Sequence, residues 1–129
     1  MSAKHNDLVR EIRLYLSSLN ILSIDTPTPG LLFTKDGRPV KSTGKGKLDI
    51  HACAPMTVYD KDNAPKRIGV FVAIDAKIGK DKLHTEQLAY QRAVHNHHGI
   101  AFQAYNLTDV YDNLLKAGLI DETIPRPNR

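Results

Sequence analysis

Gly69-Val70-Phe71-Val72-Ala73-Ile74-Asp75-Ala76-Lys77 is nearly continuous in apolar and β-branched residues up to Ile74 and then carries an acid and a lysine two positions apart. Such a run predicts a strand buried on both faces, at the centre of a sheet. Strand alternation puts Asp75 and Lys77 on one side, aimed at one spot. An ordinary ion pair at a strand end accounts equally well for this tripeptide taken alone. Its surroundings decide between the two readings.

Upstream, Leu48, Ile50 and Ala52 alternate with Asp49, His51 and Cys53, which predicts a strand over residues 48–54 with Asp49 pointing away from the side shared by Leu48 and Ile50. Residues 55–67, PMTVYDKDNAPKR, read as a connecting loop. Downstream, residues 81–99 carry Leu83, Leu88, Ala89, Tyr90, Ala93 and Val94 at helical spacing, with Asp81 near the start and Gly99 as the stop. IAFQAY at 100–105 is the next strand. LTDVYDNLLKAG at 107–118 is a helix opened by Asn106 or Thr108 and closed by Gly118. Before the sheet, Leu8, Ile12, Tyr15, Leu16 and Leu19 predict an amphipathic helix over residues 5–20 with Asn6 as cap. IDTPTPG then breaks regular structure, and LLFTKDGRPV reads as an edge hairpin. The strands on either side of residues 81–99 are expected to be parallel, joined by a right-handed crossover.

The chain has 129 residues and 41% hydrophobic content, which fits one domain over 1–129, with a core of about 5–117 and a loosely held tail at 118–129. Its single cysteine, Cys53, allows neither an internal disulfide nor a thiolate zinc site. No apolar stretch reaches the roughly 20 residues of a membrane span, and the N-terminal segment lacks a signal peptide's apolar centre. A cytoplasmic location is expected. Ser17 and Ser18 have no base partner in the pattern, which argues against nucleophilic hydrolase chemistry.

The net charge is +4, and Lys35, Arg38, Lys41, Lys45 and Lys47 against the one acid Asp36 supply a segment charge of the same size. A basic glycine-rich loop feeding directly into Asp49 points to a polyanion, with Lys41, Lys45 and Lys47 as candidate phosphate contacts. Phosphodiester hydrolysis needs a hard cation held through oxygen, a water activated by it and a positive group near the phosphate. Asp49 and Asp75 on adjacent strands would hold Mg²⁺ or Mn²⁺, the Ala76 carbonyl would add an oxygen, and Lys77 would orient water or stabilise transition-state charge. His51 shares the face of Asp49. His95, His97 and His98 sit near a helix C-terminus, where favourable dipole contacts outweigh a transition-metal site.

These residues in this order resemble the VRR-NUC branch of the PD-(D/E)XK nucleases. That branch shows a G-x-P-D element, an acid-x-lysine at a strand end, a helix with a glutamine, then a glycine, a strand and a helix. The counterparts are Gly46-Lys47-Leu48-Asp49, Asp75-Ala76-Lys77, Gln87, Gly99 and IAFQAYNLTDVYDNLL, over about residues 40–115. Leu48 replaces the usual proline and Asp75 the usual glutamate; neither change removes a functional group.

The resemblance implies a restriction-endonuclease-like α/β fold, a mixed sheet flanked by helices in the order α-β-β-β-α-β-α. It implies a metal-dependent DNA endonuclease with Asp49, Asp75, Lys77 and Gln87 in the site. It also implies an acid from the first helix as a metal ligand, Glu11 in preference to Asp7. Gln91, one turn after Gln87, competes for the glutamine's role. Small stand-alone members resemble Holliday-junction resolvases, several of them from bacteriophages, which implies a homodimer acting on branched DNA, with the hairpin and last helix as candidate interface elements. A catalytically silent nucleic-acid-binding module and a nuclease acting on RNA are the alternatives.

Overall fold

The computed structural model describes residues 3–25, 32–40, 48–80 and 85–128. Its elements are α1 (Ala3–Ser18), β1 (Leu22–Asp25), β2 (Leu32–Phe33), β3 (Pro39–Val40), β4 (Ile50–Tyr59), β5 (Pro65–Ala76), α2 (Thr85–Asn96), β6 (Ile100–Ala104) and α3 (Leu107–Lys116). Four strands form a mixed sheet in the order β1-β4-β5-β6, with β1–β4 and β4–β5 antiparallel and β5–β6 parallel, as expected for the strands flanking α2.

The central strand is β5, and it divides the core. On one face Ile50, Ala52, Val72, Ile74, Phe102 and Ala104 pack against Ile12 and Leu16 of α1 and Val110 and Leu114 of α3. On the other, Leu48, Ala73 and Ala101 pack against Val94 and Tyr90 of α2. Burial of each large aliphatic side chain contributes about 1.5–3 kcal/mol. The α2 stripe is narrower than its sequence predicts: Leu88, Ala89 and Ala93 are exposed, and only Val94 is buried. Leu48 and Ile50 also lie on opposite faces, because the regular pleat begins at Ile50 and Asp49 sits in a bend before it.

The long β4–β5 ribbon replaces the loop expected over residues 55–67. Its ladder runs from Ile50↔Ile74 to Tyr59↔Pro65. Pro55 is compatible because the Ala76 N–H points toward β4, and by strand alternation the amide position of residue 55 then points away from β5, past the end of β1 at Leu22↔Cys53. Asp60 closes the turn by accepting the Asp62 and Ala64 N–H groups at 2.8 and 2.9 Å.

The β2–β3 hairpin exists but forms its own two-stranded sheet. The edge beside β4 belongs to β1, whose residues are mostly exposed and give no alternating burial signal.

Each of the three described helices ends in a Schellman motif. The six-residue closures are Ile21 N–H to Leu16 O, Gly99 N–H to Val94 O and Leu119 N–H to Leu114 O, at 2.9, 2.9 and 3.0 Å. The left-handed position is held by Asn20 (φ 60°), His98 (φ 67°) and Gly118 (φ 77°). Gly99 is therefore the residue after the stop, required by space: a Cβ there would lie 2.8 Å from Val94 Cγ1 and 3.1 Å from the Phe71 carbonyl oxygen. At the other ends, α1 already includes Ala3, so Asn6 lies within the helix. Asn106 caps α3 by accepting the Asp109 N–H at 2.9 Å. The tail is held more firmly than its composition predicts. Leu119 and Ile120 pack on the core, and Arg126 donates twice to Asp112, at 3.2 and 3.0 Å.

Candidate active site

The sheet end where β4 begins and β5 and β6 finish gathers the polar residues. Pairing of β4 with β5 stops at Ile50↔Ile74, and beyond it Asp49 Oδ2 accepts the Ala76 N–H at 2.9 Å. The carboxylate thus takes a donor that another rung would have used. In an extended residue the N–H and C=O point to the same side, so the Ala76 carbonyl also faces this gap.

Asp75 is 1% exposed and Lys77 7%, and their shared face brings Lys77 Nζ within 2.9 Å of Asp75 Oδ2. Lys77 is fixed at its backbone too, donating its N–H to Ala104 O at 2.9 Å across to β6. Gln87 reaches down from the first turn of α2. Its Nε2 donates to Asp75 Oδ1 at 3.3 Å, and its Oε1 accepts from Lys77 Nζ at 3.1 Å. Gln91 makes neither contact, and its buried Oε1 has no hydrogen-bond partner among the described residues.

Burial raises the Asp75 carboxyl from its ordinary 3.8 to about 6; contact with Lys77 opposes the rise and the neighbouring Asp49 carboxylate adds to it. Lys77 is the ammonium partner of Asp75, while Asp49 is held by the His5 ring and the Ala76 N–H. Asp75 Oδ2, although close to the ammonium, has no partner at hydrogen-bond geometry among the described residues. Neighbouring carboxylates are hard oxygen donors that fit a divalent cation such as Mg²⁺, which is bound through one or two carboxylates and keeps waters and substrate oxygens as its other ligands.

The first helix does reach the site, through a residue the pattern reading passed over. His5 Nε2 lies 3.0 Å from Asp49 Oδ2, with only 14% of its side chain exposed. His5 continues the Leu8–Ile12 stripe one turn toward the N-terminus, and that periodicity was the available signal. Asp7 instead pairs with Arg10 at 3.5 Å on the surface. Glu11 is half-buried on α1, and among the described residues no three His, Cys, Asp or Glu side chains form a metal-holding group.

His51 points to the α2 side, where its Nε2 and the Tyr90 hydroxyl are 2.9 Å apart. His95 Nε2 lies 2.9 Å from Ala101 O and His97 Nδ1 2.7 Å from Ala93 O, local contacts at the helix end. Lys41, Lys45, Lys47 and Gly46 lie outside the described residues. Among the described residues no helix is long and apolar enough to cross a membrane. No family model matches the chain, and neither a curated protein nor a solved structure does.

Proposed function

We propose that this chain is a divalent-metal-dependent DNA endonuclease of the VRR-NUC, PD-(D/E)XK type, built on a restriction-endonuclease-like sheet. The observation that carries the reading is the convergence of Asp49, Asp75, Lys77 and Gln87 at one end of the central strands. Asp49, Asp75 and the Ala76 carbonyl would hold Mg²⁺ or Mn²⁺, with Glu11 as a further ligand if α1 shifts. Such a cation, when bound, supplies a water of lowered pKa and neutralises charge at the phosphate.

The protein groups have separable tasks. Lys77, held between Asp75 and Gln87, presents its ammonium at the carboxylate pair, where it orients water or stabilises charge on the phosphate. Gln87 fixes both partners through one amide. His5 holds Asp49 in its bend. Lys41, Lys45 and Lys47 would contact backbone phosphates, a sequence-independent attraction. Branched DNA and a homodimer complete the proposal, since one-site subunits cut two strands by pairing.

The test is incubation with linear duplex, flap and four-way-junction DNA in Mg²⁺, Mn²⁺ or EDTA. Cleavage is expected only with metal, and Asp75→Ala and Lys77→Ala proteins that retain the wild-type thermal melt should lose about a hundredfold or more in rate. Variants as active as wild type would remove the site from the reaction.

A further inference from the structure

The face that carries Asp75 continues past the carboxylates as an aromatic surface. His51 and Cys53 of β4 lie opposite Ala73 and Phe71 of β5, and β1 adds Ile24 and Leu22 beside them. Only the part around Ala73 and Ala101 is covered by α2. Phe71 stays 42% exposed, Ile24 60% and Leu22 75%.

Its aromatic groups are held in place. His51 stacks on Tyr90 with centroids 5.8 Å apart and planes at 10°, and meets Phe71 edge-on at 5.1 Å. Phe71 is the wall between two shallow cavities. One, of about 300 Å³, is shared with Tyr90, Val94 and His97; the other, of about 220 Å³, with Leu22, Ile24, His51 and Cys53. Both are largely apolar, with hydroxyl, imidazole or thiol side chains among the residues that line them.

We infer that this face binds unpaired nucleobases of a DNA substrate, with Phe71 as the stacking surface and His51 and Tyr90 as its support. The inference rests on the nuclease reading and specifies its substrate as DNA with a single-stranded stretch beside the scissile phosphate. Three features favour bases. Shallow apolar slots beside a partly exposed ring, with a few polar side chains in their lining, match flat rings with polar edges. Phe71 is four strand residues from Asp75, about 13 Å, a span of at most about four nucleotides at the stacked rise of 3.4 Å. Charge is complementary as well: on β4 and β5 this face carries no acid between Asp75 and the exposed Arg67 at its far end, where Arg67 Nη1 donates to Thr57 at 2.9 Å.

Fluorescence anisotropy in EDTA, where no cleavage occurs, separates this inference from the nuclease reading. The probes are twelve-nucleotide oligo-dT, an abasic strand of equal length and oligo-rU. Oligo-dT should bind at least about fivefold more tightly than the abasic strand. That advantage should vanish in Phe71→Ala and persist in Phe71→Tyr, each measured well below its own thermal midpoint because the ring is more than half buried against His51 and its truncation lowers the melt. Equal affinity for dT and abasic strands overturns the inference whatever the cleavage assay shows. Tighter binding of rU than dT reassigns the face to RNA and overturns the DNA assignment. Sedimentation velocity on the same proteins completes the test: a wild-type dimer that Phe71→Ala turns into monomer gives the face to a second copy and also overturns it. Base-dependent binding without metal-dependent cleavage sinks the nuclease reading instead.

Discussion

Asp75 shows how position in a sheet sets the chemistry of a single carboxyl. Burial lifts it to about 6, above the ordinary 3.8, so its ionisation works against folding. The penalty is absent below pH 3.8, grows as pH rises toward 6 and is complete above it, at most about 3 kcal/mol. Asp75→Asn keeps the shape and removes the charge. In EDTA, denaturant unfolding should show this variant close to wild type at pH 4 and more stable at pH 8, the opposing effect of Lys77 being already contained in the value near 6. A gap independent of pH would contradict the assignment. Gln87 makes the second residue-scale prediction. Its amide bridges Asp75 and Lys77, so Gln87→Ala should slow metal-dependent cleavage about 10- to 100-fold. Gln91→Ala should leave the rate within about twofold, and the reverse ranking would exchange their roles. The co-facing of Asp75 and Lys77 was legible because strand period is two. Gln87 was singled out by resemblance alone, since the sequence does not say how α2 docks. The contact of His5 with Asp49 depends on the angle at which α1 crosses the sheet.

The helix ends connect local backbone chemistry to packing. His98 occupies a left-handed position at φ 67°, where a side chain costs about 1 kcal/mol and glycine adopts the conformation freely. His98→Gly should therefore raise stability by about 0.5–1 kcal/mol, read as a higher denaturation midpoint at unchanged slope. Asn106→Ala should lower it by about 1 kcal/mol through loss of the α3 cap. The caps and stops of α3 were readable because Asn106 and Gly118 are the residue types those positions favour. At α2 the glycine signal was displaced by one residue: Gly99 answers to close packing against Val94 and Phe71, while His98 takes the turn. The β4–β5 ribbon was underestimated for a related reason. Pro55 and the charged turn after Tyr59 read as loop until the partner strand supplies the register that makes them compatible.

At the scale of the molecule, charge and apolar surface are segregated. The net +4 matches the excess carried between Lys35 and Lys47, ahead of Asp49, while the β4 and β5 residues of the aromatic face beside Asp75 include no acid as far as Arg67. If the loop lysines contact phosphates, replacing Lys41, Lys45 and Lys47 with alanine should flatten the slope of log binding constant against log salt by about 2–3 for duplex DNA, measured by titration at several salt concentrations in EDTA. An unchanged slope would place the phosphate contacts elsewhere. The sequence by itself determined the mixed α/β class, the central strand at β5, the parallel partner across α2 and the pairing of Asp75 with Lys77. These depend on local periodicity and on one nearly unbroken apolar run. Tertiary structure alone decided the place of β1 at the sheet edge, the contact of His5 with Asp49, the bridge made by Gln87 and the bare aromatic face around Phe71. Each depends on which distant segments come to lie side by side, and spacing along one chain does not encode the angle at which a helix crosses a sheet or how much of its face it covers.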